Sequence, residues 1–207
     1  MEIAVANVPR VDGNVYVLPD VSGSMHSPVT GHRKGSTTAV RCIDVAALVA
    51  AAFMRTNPRT EVIAFHDRVQ PCVLDPRDLV MTNATALAKL PSGGTDCAEP
   101  LRELNRRKAK GNLVVFVSDN QSWIDTTRRW NPGTNVMEQW AQYKRRNPRA
   151  KLVCIDVQPY ATSQAPDRAD ILNVGGFSDA VFDVIAAFVA DTLTPGHWAS
   201  EIASMKP

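Results

Sequence analysis

Val15-Tyr16-Val17-Leu18-Pro19-Asp20-Val21-Ser22-Gly23-Ser24 sets a carboxylate and two hydroxyls directly behind an apolar run. A short continuous apolar run predicts a buried β-strand, and the polar, glycine-bearing residues after it predict a loop at the strand's end. Oxygen donors on so short a spacing suit a hard cation, Mg2+ or Mn2+, which prefers near-octahedral oxygen coordination and keeps positions for water or an incoming anion. Two of the three donors are neutral hydroxyls. They leave the ion's charge largely unquenched, so an external acidic group is drawn to it. Taken alone, the same residues also fit a turn closed by an Asx or Ser cap.

Two later segments add donors. Thr95 sits in Gly93-Gly94-Thr95-Asp96, where paired glycines allow a tight turn that presents a hydroxyl. Asp119 ends Leu113-Val114-Val115-Phe116-Val117-Ser118, a continuous apolar run of the kind found in a central strand covered on both faces. In open α/β sheets ligands bind beyond the carboxyl ends of the strands, which is where Asp20 and Asp119 both fall.

Asp20, Ser22, Ser24, Thr95 and Asp119 together resemble the metal-ion-dependent adhesion site of a von Willebrand factor A domain. The resemblance implies that Ser22, Ser24 and Thr95 ligate a Mg2+ or Mn2+ ion directly. It implies further that Asp20 and Asp119 act directly or through water, and that a partner's carboxylate takes the sixth position. The start Val5-Ala6-Asn7-Val8-Pro9, the run Val117 to Trp123 and the long loop after it are similar to the domain of Ro ribonucleoprotein (TROVE) proteins. Proteins of that family also carry a helical-repeat ring that binds RNA. No such ring is encoded in this chain, so the resemblance implies a protein-interaction module of an RNA-binding ribonucleoprotein.

An enzymatic reading competes with it: a Mg2+-dependent phosphoryl hydrolase using Asp20 or a metal-bound water. Against this, Ser22 stands where a phosphatase of the haloacid dehalogenase type needs a second carboxylate. The sequence also has no Gly-x-Ser-x-Gly elbow, Cys-His pair or Walker loop, and no catalytic residue is assigned.

At 207 residues and 44% hydrophobic content, a single α/β domain spanning 1–207 is expected. No run approaches the roughly 18 apolar residues of a membrane span, and a cytoplasmic protein is expected. Cys42, Cys72, Cys97 and Cys154 stand singly, as reduced thiols do. The four histidines share no ligand spacing, which argues against zinc.

Net charge is +2, but residues 102–151 hold 12 lysines and arginines against 4 acids. Such a cluster is either a set of solvated helix faces or an RNA footprint, with Arg106, Arg107, Arg128, Arg129, Arg145 and Arg146 as its candidate contacts. Any RNA binding by this chain is expected to be weak. Trp123 and Trp130 in the loop 120–133 serve either to anchor that loop or to stack bases.

Along the chain, strands are expected at 14–18, 61–65, 69–73, 113–118, 151–157 and 171–174, the second and third joined as a hairpin through His66-Asp67-Arg68. Helices are expected from Ser36-Thr37-Thr38 to Met54, over 79–90, 98–108 and 136–146, and after Ser178. This alternation predicts a doubly wound α/β fold, with a mostly parallel central sheet of about six strands, helices on both faces and one antiparallel edge strand.

Overall fold

The computed structural model describes residues 7–30, 39–119, 134–158, 168–178 and 180–193. Strand β1 (Val15–Pro19) leads through a 3-10 turn (Gly23–His26) to helix α1 (Cys42–Thr56) and strand β2 (Thr60–Val62). Helices α2 (Val80–Leu87) and α3 (Glu99–Arg106) precede strand β3 (Leu113–Ser118). Helix α4 (Thr134–Arg146), strands β4 (Lys151–Asp156) and β5 (Ile171–Gly175), and helix α5 (Ala180–Val189) complete the order. The strands form one sheet in the order β2-β1-β3-β4-β5, parallel at every pairing.

Side chains alternate across the sheet with a period of two, and each face buries its own set. Val15, Val17, Val115, Val117, Val153 and Ile155 pack with α1 and with Val181, Phe182 and Ile185 of α5. Tyr16, Leu18, Val114, Phe116, Leu152 and Cys154 pack with Leu101 and Leu104 of α3 and with Trp140 and Tyr143 of α4. Because both faces are covered, β1 and β3 are apolar without alternation. The chain runs from β1 outward to β2, then returns to β3 on the other side of β1, so the winding reverses between β1 and β3.

The edge differs from the sequence expectation. Among the described residues there are five strands, not six, and none is antiparallel. The expected hairpin survives as one antiparallel bridge, Phe65 to Val69, with Gln70 N–H donating to Ala64 O at 2.7 Å. Pro71 has no N–H to continue the ladder, and Val73 beyond it is 97% exposed.

The first long helix also opens later than expected. Val29 N–H donates to Val40 O and Cys42 N–H to Ser27 O, which holds residues 40–42 extended until α1 begins at Cys42. The Asp44 carboxylate then accepts the Arg41 N–H at 3.0 Å. The expected start at Ser36-Thr37-Thr38 lies outside the described residues, as do the loop 120–133 and the tail after 193. None of the four cysteines forms a disulfide.

Buried Asn57, the residue after α1, ties the chain before β1 to this helix. Its Oδ1 accepts the Val11 N–H at 2.8 Å and its Nδ2 donates to Pro9 O at 3.0 Å. Asn57→Ala leaves both backbone groups without these partners. Urea denaturation is expected to show a loss of about 1–3 kcal/mol, whereas a substitution at an inconsequential surface position costs about 0.5 kcal/mol or less.

Candidate metal centre

β1 and β3 end side by side at the point where the winding reverses, and Asp20 and Asp119 follow them directly. The ladder continues one step past β1, where Asp20 N–H donates to Val117 O and Val21 N–H to Phe65 O. Asp20 is thereby carried into the interior and is fully buried. Its Oδ1 accepts the Ser22 N–H at 2.8 Å, and its Oδ2 accepts the Ser118 hydroxyl from the neighbouring strand at 2.9 Å. Ser22 Oγ and Ser24 Oγ stand 3.3 Å apart. Met25, buried in the 3-10 turn, roots this loop in the core.

Thr95, half-buried, lies on a second loop docked against the first. Gly23 N–H donates to Gly93 O at 3.0 Å and Asp96 N–H donates to His66 O at 3.0 Å. A Cβ at Gly93 would sit 2.7 Å from His66 Nδ1, so the close packing of this loop's backbone against the His66 ring favours glycine there. Asp96 also caps the chain into α3, its Oδ1 accepting the Ala98 N–H.

The structure adds a residue that the motif does not contain. Asp156 ends β4 directly opposite Ser118, is buried, and its Oδ1 has no hydrogen-bond partner among the described residues. Burial pushes the Asp20 carboxyl up to about 6 and the Asp156 carboxyl up to about 8, with the charge of Asp119 a smaller contribution in the same direction for both. Neither Asp20 nor Asp156 forms an ion pair among the described residues. The cup therefore gathers buried carboxylates and hydroxyls at three strand ends. The donor types are all oxygen and short of positive charge, as a hard divalent cation prefers. Among the described residues no three carboxylate, imidazole or thiol side chains converge to hold one by themselves, so the hydroxyls would have to complete the set.

The candidate RNA residues lie elsewhere. Arg106 ends α3 and Arg107 follows it, and Arg145 and Arg146 end α4, at the opposite end of the sheet from Asp20. Arg106 pairs with Glu103 and Arg107 with Glu61, both at 2.7 Å, and Arg146 donates to Asn105 Oδ1. Arg145 is exposed. Arg128 and Arg129 are outside the described residues.

A doubly covered parallel sheet with an oxygen-lined cup at its winding reversal defines a domain of von Willebrand factor A type. Residues 15–189 match the model of the Ro60 vWA domain, and the chain belongs to that family. It is 27% identical over 186 residues to the RNA-binding protein RO60 of Deinococcus radiodurans, a match covering 90% of this chain and 33% of the relative. The crystal structure of the Deinococcus radiodurans RO (RSR) protein superposes with a TM-score of 0.72 at 25% identity, covering 93% of this chain and 37% of the other. The chain thus spans about a third of the length of the relatives it matches. Among the described residues no helix is long and apolar enough to cross a membrane.

The raised carboxyls make stability depend on pH in a defined direction. A carboxyl whose folded pKa lies above its ordinary value stabilises the fold while protonated, and that contribution is lost as pH rises through the folded value. In chelator, stability is expected to fall by a few kcal/mol in all as pH rises from 5 to 8.5, through about 6 for Asp20 and about 8 for Asp156. Asp156→Asn is expected to flatten the upper half of that fall. Thermal melts of both proteins across this range decide it, and parallel curves above pH 6.5 would remove Asp156 as the cause.

Proposed function

We propose that this domain is a divalent-metal-dependent interaction module of a Ro-type ribonucleoprotein, in which a bound Mg2+ or Mn2+ receives an acidic group from a protein partner. The observation that carries the reading is the concentration of buried carboxylate at three strand ends without a neutralising side chain on Asp20 or Asp156. Ser22, Ser24 and Thr95 would supply neutral oxygens, and Asp20 and Asp119 the charged ones. Bound there, the ion would act as a Lewis acid toward one external oxygen ligand.

The protein's own residues prepare that arrangement. Ser118 and the Ser22 N–H hold Asp20 from both sides, which fixes its orientation and keeps it an acceptor rather than presenting it as a nucleophile. The Gly23 to Gly93 hydrogen bond keeps the Thr95 loop beside the Ser22 loop. Asp156 stands behind the donors as a buried carboxyl that burial keeps uncharged at neutral pH in the absence of a cation. We therefore read the site as one for binding, not catalysis. Mn2+-dependent turnover of a phosphate ester that disappears in Asp20→Ala would replace this reading with the hydrolase.

The relative's name speaks of RNA binding, and we propose that this chain serves in the same kind of particle, chiefly through its partner contacts. Calorimetric titration of metal-stripped protein with Mn2+ tests the metal site. One-site binding is expected for the wild type, at least tenfold weaker binding for Ser22→Ala and Thr95→Ala, and none for Asp20→Ala. The serine and threonine variants should keep the wild-type melting temperature in chelator, since polar loop residues contribute little to the core. Identical isotherms for wild type and Asp20→Ala would exclude the site.

A further inference from the structure

Among the described residues some cations face a carboxylate and others do not. Arg102, Arg106, Arg107, Lys144 and Lys151 each face a carboxylate. Arg59, Lys110, Arg146 and Arg149 have no carboxylate partner among the described residues, and all four line one cleft of about 320 Å³. No aspartate or glutamate lines it, and Arg55, Lys89 and Arg145, also unpaired with carboxylates among the described residues, lie outside it. The cleft is built from the segments that enter four successive strands: Asn14 before β1, Arg59 before β2, Lys110 to Asn112 before β3, and Arg146 to Ala150 before β4. It lies at the amino ends of the sheet, opposite the metal cup. Four positive charges drawn together from three segments repel one another unless an anion lies between them.

The floor of the cleft is fixed and offers little else to a ligand. Asn14 Nδ2 donates to Lys110 O at 2.7 Å, and Asn147 Nδ2 donates to Ala109 O at 3.2 Å while its Oδ1 accepts the Gly111 N–H. Asn112 N–H donates to Asn14 O, and its side-chain amide to Asp12 O. With these amides engaged by backbone, recognition is left to the cations, chiefly Arg59, Lys110 and Arg149. The Arg146 guanidinium is held by Asn105 Oδ1 and Gln142 O and contributes its charge from a fixed position. No aromatic ring lines the cleft, so a base finds no stacking platform there. The exposed apolar side chains Val40, Val73, Leu79 and Met81 do not line it either, as contact with a lipid surface would require.

The geometry points to a site for the phosphodiester backbone of single-stranded RNA, gripped by Arg59, Lys110, Arg146 and Arg149 through charge rather than base identity. It is independent of the metal reading. Arg59 belongs to it although it falls outside the basic segment, and Arg106 and Arg107, inside that segment, do not line it.

The test is fluorescence anisotropy with a labelled 20-nucleotide poly(U) RNA in chelator, comparing two double variants that remove the same charge. Arg59→Ala/Arg149→Ala is expected to bind at least tenfold more weakly at 50 mM salt. Its plot of log affinity against log salt should be shallower by about 1.4, at about 0.7 for each phosphate no longer neutralised. Arg106→Ala/Arg107→Ala should bind within twofold of wild type. Both Arg59 and Arg149 are exposed, so unchanged melting temperatures are expected to confirm folding. Asp20→Ala should bind RNA as wild type does, whatever the outcome of the metal titration. Unchanged binding by the cleft variant, or equal loss in both doubles, overturns the site. Binding to phosphatidylserine vesicles with the same residue dependence, in place of RNA, overturns the assigned ligand.

Discussion

A parallel sheet covered by helices on both faces has no wet face. On the inner strands β1, β3 and β4 polar side chains are accommodated at the strand ends, whereas the edge strands β2 and β5 carry Glu61 and Asn173 in mid-strand. The register aligns Pro19 with Val117, and Ser118 with Asp156, so β1, β3 and β4 release their polar residues at one level. The hydrogen bond from Ser118 to Asp20 joins two of these strand ends across the winding reversal. The cup is thus set by the length and register of strands that are themselves fixed by apolar packing.

Burying carboxylates at those ends opposes stability. Asp20 and Asp156 are held where burial favours the uncharged form, and the core must offset that strain. Large apolar side chains do so from both sides: Phe53 meets Phe182 edge to face on one face, and Trp140 stacks on Tyr143 on the other. Lys151 Nζ donates to the Phe188 and Val189 carbonyls and so satisfies the end of α5. Stability is collected in the middle of the sheet and given up at its carboxyl end, as functional sites commonly require.

Much of this is legible in the residues. β1, β3 and β4 announce themselves as continuous apolar runs, and the Asp20-Ser22-Ser24 spacing marks the loop after the first. The hairpin is misleading because the alternation over 69–73 carries the periodicity of a strand, while Pro71 denies it the ladder. Asp156 escapes a reading built on the five-residue motif, to which it does not belong. Its signal is nevertheless present: like Asp20 and Asp119, it is an aspartate closing an apolar run. The basic segment misleads in a different way, since density along the chain does not reveal which cations find a carboxylate in space. Arg106 and Arg107 do, whereas Arg59, far from that segment in sequence, joins the group that lines the cleft.

The strands that separate the two poles of the sheet run five or six residues, about 20 Å at about 3.3 Å per residue. The Debye length under physiological salt is about 8 Å, so the exposed cations of the basic cleft are largely screened through solvent from the opposite end of the sheet. The molecule behaves toward its surroundings as two separate electrodes mounted on one rigid spacer. On the two proposed readings a cation and a polyanion would approach opposite poles, and loading one would leave the other open.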